Sequence, residues 1–150
     1  MWRWRKSLIL TLFGFFLCLS AQAQGLTPLT VKTATGAHQI LVELADTPAR
    51  HRSGLMWRQQ MLLNQGMLFV YPNEQPLSFW MKNTPLSLDI IYFDGRGHYI
   101  NHHAATTPNS LTSLKSTRPA QYVLEINAGQ AAMLAITSGS HLVLEGVLGE

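Results

Sequence analysis

Leu88-Asp89-Ile90-Ile91-Tyr92-Phe93-Asp94-Gly95-Arg96-Gly97-His98-Tyr99-Ile100 is the stretch that decides the fold. Two apolar runs flank Asp94-Gly95-Arg96-Gly97. Asp and Gly tolerate the positive φ that tight hairpin turns demand, so the segment predicts an antiparallel hairpin. Outward from it the same rhythm recurs, with short apolar runs cut by turn residues, which is an all-β pattern. Strands are expected at 29–33, 38–45, 66–70, 77–82, 88–93, 98–103, 121–126 and 141–145.

Two segments read as helix. Thr47-Pro48 is an N-cap followed by Pro at the first helical position, where its missing N–H costs nothing. That helix is expected over 48–53, with Gly54 as the left-handed residue that stops it. The second is 128–135, rich in Ala, Met and Leu, without a β-branched residue before Ile136. Residues 104–119 differ: seven of the 16 are Ser or Thr and two are Pro, which predicts a long surface loop that serves as a cover or is merely mobile.

The chain has 150 residues, the size of one domain. Hydrophobic residues make up 47% and charged residues 13%, which excludes a disordered protein. The formal charge of +3 misleads: Arg3, Arg5 and Lys6 are three of the 11 Lys+Arg, and the other eight balance eight Asp+Glu. A neutral body lacks the clustered cations that nucleic acid needs.

Those three cations open a secretory leader over residues 1–23. An apolar run from Leu8 to Leu19 follows, and Ala21-Gln22-Ala23 supplies the small residues of a cleavage site. A spanning helix needs about 20 apolar residues, so an uncleaved anchor is the weaker reading. Cys18 lies within the run, and Phe16-Leu17 before it lacks the small residue of a lipid-attachment site. The expected product is exported to the periplasm with no stable membrane anchor and no cysteine. It has a flexible lead at 24–28 and a single β domain over 29–150.

The informative charges are acids inside apolar strands: Glu43, Asp89, Glu125 and Glu145. An unpaired buried carboxylate costs several kcal/mol or more, so each must reach a rim or find a partner. Glu43 and Glu145 are expected on solvated sheet faces. Glu125 lies in a strand apolar on both faces, so that strand should be central. The available cations are led by Arg50, Arg52, Arg58, Lys82 and Arg118.

With period 2, Trp80 and Lys82 share one strand face, and Phe79, Met81 and Asn83 the other. A Trp face beside an ammonium, with Asp89 seven residues on, makes a platform for a polar ligand, or equally a core Trp with a snorkelling Lys. Arg52 and Arg58 stand about 240° apart on a continuous helix. A break at Gly54 would let both turn to one carboxylate, whether a ligand's or that of Asp89 or Glu125.

Metal and cofactor chemistry find little support. His98 and His102 share a strand face but lie roughly 13 Å apart. His102 and His103 point to opposite faces, and the methionines read as core filler rather than copper ligands. There is no G-x-S-x-G elbow and no Gly-rich phosphate loop. No metal and no cofactor is expected.

Four ordered motifs remain. They are Arg52-x-Gly54-Leu55-Met56-x-Arg58, Gly66-Met67-Leu68-Phe69, Phe79-Trp80-Met81-Lys82-Asn83-Thr84 with Leu88-Asp89-Ile90, and Tyr122-Val123-Leu124-Glu125-Ile126-x-Ala128-Gly129. Together they resemble the bacterial and archaeal family called domain of unknown function 192, over roughly residues 29–148. The resemblance implies a compact β-sandwich or barrel of jelly-roll type with short helices, and no established activity. Its motif residues fall on Arg52, Arg58, Trp80, Lys82, Asn83, Asp89 and Glu125. Members often carry Pro two residues before the motif Asp, where this chain has Ser87 and instead places Pro85 after Thr84.

The leading expectation is a secreted, non-enzymatic β-sandwich that binds a small polar or anionic ligand through those seven residues, with 104–119 as a cover. One alternative is an enzyme using Asp89 or Glu125 as general acid/base. Another is a structural or protein-interaction domain whose polar cluster is an internal ion-pair network.

Overall fold

A computed structural model describes residues 25–148 of the chain. The leader, its cleavage site and Cys18 lie outside the described residues. The elements in order are β1 (Thr27–Thr33), β2 (Gly36–Ala45), α1 (Pro48–Ser53), β3 (Gln65–Gln75), β4 (Ser78–Phe79), β5 (Leu88–Phe93), β6 (Tyr99–His103), β7 (Leu114–Lys115), β8 (Ala120–Asn127), α2 (Gln130–Met133) and β9 (His141–Val143). Seven strands form one sheet in the order β6-β5-β8-β3-β2-β1-β9, and β4 pairs with β7 as a small ribbon. Neighbours are antiparallel except β2 and β3. The parallel pair is joined by a crossover that carries α1 over one face of the sheet.

The sheet curls until its two ends touch. His98 bridges His141, Tyr99 N–H donates to the Ser140 carbonyl at 3.0 Å, and Leu142 N–H donates to the Gly97 carbonyl at 2.9 Å. The result is a mainly β fold with two short helices, a half-barrel within the sandwich-or-barrel class.

The hairpin that decides the fold forms as read. Asp94 N–H bonds the His98 carbonyl at 2.9 Å, and Asp94 Oδ1 accepts from the backbone N–H groups of Arg96 and His98 at 3.0 and 2.8 Å. Burial alone would raise the Asp94 carboxyl. The two N–H groups, with His98 and Arg118 nearby, outweigh burial and hold it below the ordinary carboxylate range.

Helix α1 spans the expected residues, with Thr47 Oγ1 accepting from Arg50 N–H at 3.3 Å. Gly54 ends it at φ 45°, ψ −132°, which is not the left-handed helical well expected but a region that side chains other than glycine's enter only under strain. The expected strand over 77–82 contracts to Ser78–Phe79. Met81 N–H turns to the Ser110 carbonyl, Thr84 N–H turns back to Met81, and Asn83 takes φ 54°. Residues 104–119 are less free than their composition predicts. They contribute β7, and buried Thr106 bonds to Leu88 through both backbone and hydroxyl.

Both faces of the sheet are covered, which explains why β5 is buried along its whole length instead of alternating. The inner face packs Leu29, Val42, Leu68, Ile91, Leu124 and Ile126 inside the curl against α2. The outer face packs Met67, Phe69, Ile90, Tyr92 and Val123 beneath α1, the ribbon and the loops. Gly66 permits the close approach of β3 to β8, since a Cβ there would stand 2.6 Å from the Glu125 carbonyl oxygen.

Candidate functional site

One row of residues crosses the sheet in register: Glu43 on β2, Met67 on β3, Glu125 on β8, Ile90 on β5 and His103 on β6. Residues paired in register share a face, so both glutamates belong to the outer face. Their circumstances differ. Glu43 takes both arms of the Arg58 guanidinium, at 2.5 and 2.9 Å. Glu43 therefore lies in a half-buried ion pair, not on a solvated face as expected from sequence, and the carboxylate that Arg58 holds is neither Asp89 nor Glu125. Glu145, by contrast, is exposed just beyond β9.

Glu125 is 5% exposed and has no hydrogen bond or ion pair among the described residues. Its surroundings are aromatic. Phe69 and Phe79 meet edge to face at 4.8 Å, Phe79 meets Tyr92 at 6.0 Å, and Tyr71 stacks on His51 at 4.2 Å. Burial pushes the Glu125 carboxyl up to about 8. In turn the Tyr71 and Tyr92 hydroxyls are raised, first by their own burial and then by the charge Glu125 would carry.

Glu125 opens into a cleft between the sheet and the turn that follows α1. Its walls include Phe69, Phe79, Gly54 and Thr84, and its mouth carries Trp80 and Arg52. The cavity measures about 40 Å³, room for a group of a few atoms. Helix α1 is fixed over it by His51, whose Nε2–H is shared between the carbonyls of Ala45 and Val70 at 2.9 and 3.0 Å. Beyond the cleft lining, two left-handed residues tie the turn after α1 to the turn after Trp80: Trp57, at φ 65°, donates its N–H at 2.7 Å to the carbonyl of Asn83, at φ 54°. Trp80 is 48% exposed at the mouth, and the Lys82 ammonium rests 5.1 Å from its ring centroid. Arg52 is exposed and makes no ion pair among the described residues.

Of the seven residues singled out from sequence, Arg52, Trp80 and Glu125 line one cleft. Lys82 and Asn83 stand beside it through Trp80 and Trp57. Arg58 is occupied by Glu43. Asp89 faces away: it pairs in register with Ile126, one residue from Glu125, and so lies on the inner face. There Asp89 is fully buried and accepts backbone N–H bonds from Ala105 and Ala131, each at 2.9 Å. None of residues 104–119 lines the cleft itself. Several of them line a hollow with Met81, His102 and His103, while Leu111 and Ser113 line another with Phe79 and Trp80, which also belong to the cleft.

Sequence reasoning missed His51, Phe69, Phe79 and Thr84. The parity of β8 held a signal for Phe69. Val123 and Glu125 alternate onto the same face, and Phe69 is the register partner of Val123. His51 gave none, because its contacts are to backbone carbonyls. Among the described residues no three His, Cys, Asp or Glu side chains gather as a metal site requires.

The family profile DUF192, described as Uncharacterized ACR, COG1430, matches residues 30–144. The chain belongs to the DUF192 family. Solved structures similar to it include the following two. One, from Sinorhizobium meliloti 1021 and described as a candidate transcription regulator, is 36% identical with a TM-score of 0.75, covering 79% of this chain and 94% of that one. The other, a protein of unknown function from Novosphingobium aromaticivorans DSM 12444, is 35% identical with a TM-score of 0.78, covering 82% of this chain and 88% of that one. No curated protein matches. Trp80, Lys82, Asn83 and Glu125, which carry the DUF192 resemblance in sequence, thus gather at or beside one cleft.

Proposed function

We propose that this DUF192 protein binds a small polar or anionic ligand, without transforming it, in the cleft floored by Glu125, and that it does so in the periplasm. One observation carries the reading: a carboxyl more than nine-tenths buried, with no partner among the described residues, opens into a cleft. Burying a polar group without hydrogen bonds costs about 1–3 kcal/mol, a cost that a ligand's polar group would relieve. Arg52 at the mouth adds a planar fork suited to a carboxylate or phosphate.

Binding is favoured over a two-carboxylate mechanism by what stands near Glu125. Such a mechanism needs a second acid on the other side of the bond. Asp89 is across the sheet and Glu43 is held by Arg58. The description of the Sinorhizobium relative raises nucleic acid as a partner, but eight basic against eight acidic residues beyond the leader give no electrostatic footprint for it.

Thermal denaturation of the purified exported protein against sugars, organic acids, amino acids and phosphates tests the reading. A ligand at 100 times its Kd adds about 2.7 kcal/mol, which is visible as a raised Tm. The expected result is a shift in the parent that is lost in Arg52→Ala. A panel that moves nothing, or a shift unchanged in both Arg52→Ala and Glu125→Gln, defeats it.

A further inference from the structure

We infer that the ligand is a small zwitterion, with its ammonium inward on Glu125 and its carboxylate outward on Arg52. The inference rests on the binding reading above and names the ligand's chemistry.

The cleft presents a guanidinium and a buried carboxyl, which holds its proton while the cleft is empty and releases it to solvent when a ligand ammonium meets it. The acid forms the floor, on β8, and the guanidinium stands at the mouth, at the end of α1. Neither has an ion-pair partner among the described residues, whereas the acid and the arginine just beside the cleft, Glu43 and Arg58, are paired with each other. A ligand with a single negative charge would satisfy Arg52 and leave Glu125 buried and alone. A single positive charge would do the reverse. A molecule with both charges relieves both groups at once.

The walls fix the polarity. Phe69 and Phe79 line the space above Glu125 and offer an anion no hydrogen-bond donor, whereas Glu125 offers a cation its acceptor oxygens. The inner end is therefore the ammonium. Its compact head carries three donors, enough to serve both carboxylate oxygens of Glu125. A volume of about 40 Å³ has room for such a head. The outer end meets the Arg52 fork, which binds a carboxylate through two parallel hydrogen bonds. Lys82, held over Trp80, adds positive charge at the same mouth.

The test is a homologous series of glycine, β-alanine, γ-aminobutyrate and 5-aminopentanoate, with propionate, butyrate, propylamine and butylamine as single-charge controls. Binding is measured by calorimetry and Tm on the exported protein, Glu125→Gln and Arg52→Ala. Expected is one amino acid of the series that binds at least ten-fold more tightly than the acid or the amine of matching length. Both substitutions should weaken it at least ten-fold. Gln is nearly isosteric with Glu, and Arg52→Ala changes an exposed side chain, so the second variant decides the matter if the first fails to fold. An acid that binds as tightly as the amino acid overturns the zwitterion while leaving an anion-binding cleft. A sugar or phosphate that binds while the series does not overturns the zwitterion alone. Silence from every compound, the wider panel included, overturns the binding reading with it.

Discussion

Asp89 and Glu125 are carried by adjacent strands, one residue apart in register, yet they face opposite sides of the sheet. Each is buried. The difference lies in partners. Asp89 has two backbone N–H groups at 2.9 Å, and Glu125 has none among the described residues. The first carboxylate is part of the framework, and the second is an unmet demand.

Asp89 joins the start of the 104–119 segment to α2. Replacing it with Ala leaves the buried Ala131 N–H without an acceptor, at about 1–3 kcal/mol, and the partly buried Ala105 N–H at a smaller cost because water reaches it. Asp89→Ala should therefore lose on the order of 2–3 kcal/mol in urea denaturation, while the fraction still folded binds ligand at parental affinity. Unchanged stability would show that the two bonds are dispensable.

Glu125 predicts a pH dependence. Its folded-state carboxyl titrates at about 8, while an unfolded Glu titrates near 4.3. Between those values the folded protein holds a proton that the unfolded chain releases. The stability this contributes is fully present below the unfolded value and is lost as pH rises through the folded one, at up to about 1.4 kcal/mol per pH unit. The groups facing Glu125, namely His51, Arg52, Tyr71 and Tyr92, stay in place in Glu125→Gln, so comparison of the two proteins isolates the one carboxyl. Gln should be the more stable variant at pH 8.5, by roughly 3–5 kcal/mol, with the gap closing toward pH 5. Parallel stability curves would falsify the raised titration.

The Glu43–Arg58 pair sits where solvent reaches in part. The Arg58 side chain is 31% exposed and that of Glu43 15%. Screening reduces its worth below that of a fully buried pair, so Arg58→Ala should cost about 1–3 kcal/mol. A double-mutant cycle with Glu43→Gln should recover most of that loss as coupling. Additive single effects would mean that the pair holds nothing.

The strand pattern was legible because period-2 runs and turn residues are local signals. The hairpin at Asp94 and the helix start at Thr47 both formed where read. The 77–82 strand was not legible in its true length, because distant Ser110 takes the Met81 N–H. The acids were found as anomalies, but their partners were not. Which face a carboxylate meets depends on the register between strands far apart in sequence. Glu43 reaches Arg58 across 15 residues, and Asp89 reaches Ala131 across 42. The short reach from Lys82 to Asp89, natural in sequence, spans a turn and a change of sheet face.

Gly54 ties the fold to the cleft. It ends α1 at φ 45°, ψ −132°, and a Cβ there would stand 3.2 Å from Phe69 Cζ, on the wall above Glu125. Gly54→Ala thus meets two penalties, a backbone conformation that costs about 1–3 kcal/mol for a side chain and a contact that pushes the Phe69 ring. The expected loss of stability is about 2 kcal/mol, with ligand affinity reduced because the turn bearing Arg52 must shift. Ala at exposed Ser53, one position earlier and inside the helix, should change stability by no more than about 0.5 kcal/mol. Denaturation and binding measured on both variants separate the special backbone of Gly54 from a general sensitivity of the turn. Equal effects at the two positions would mean that glycine's conformational freedom is not what the cleft requires.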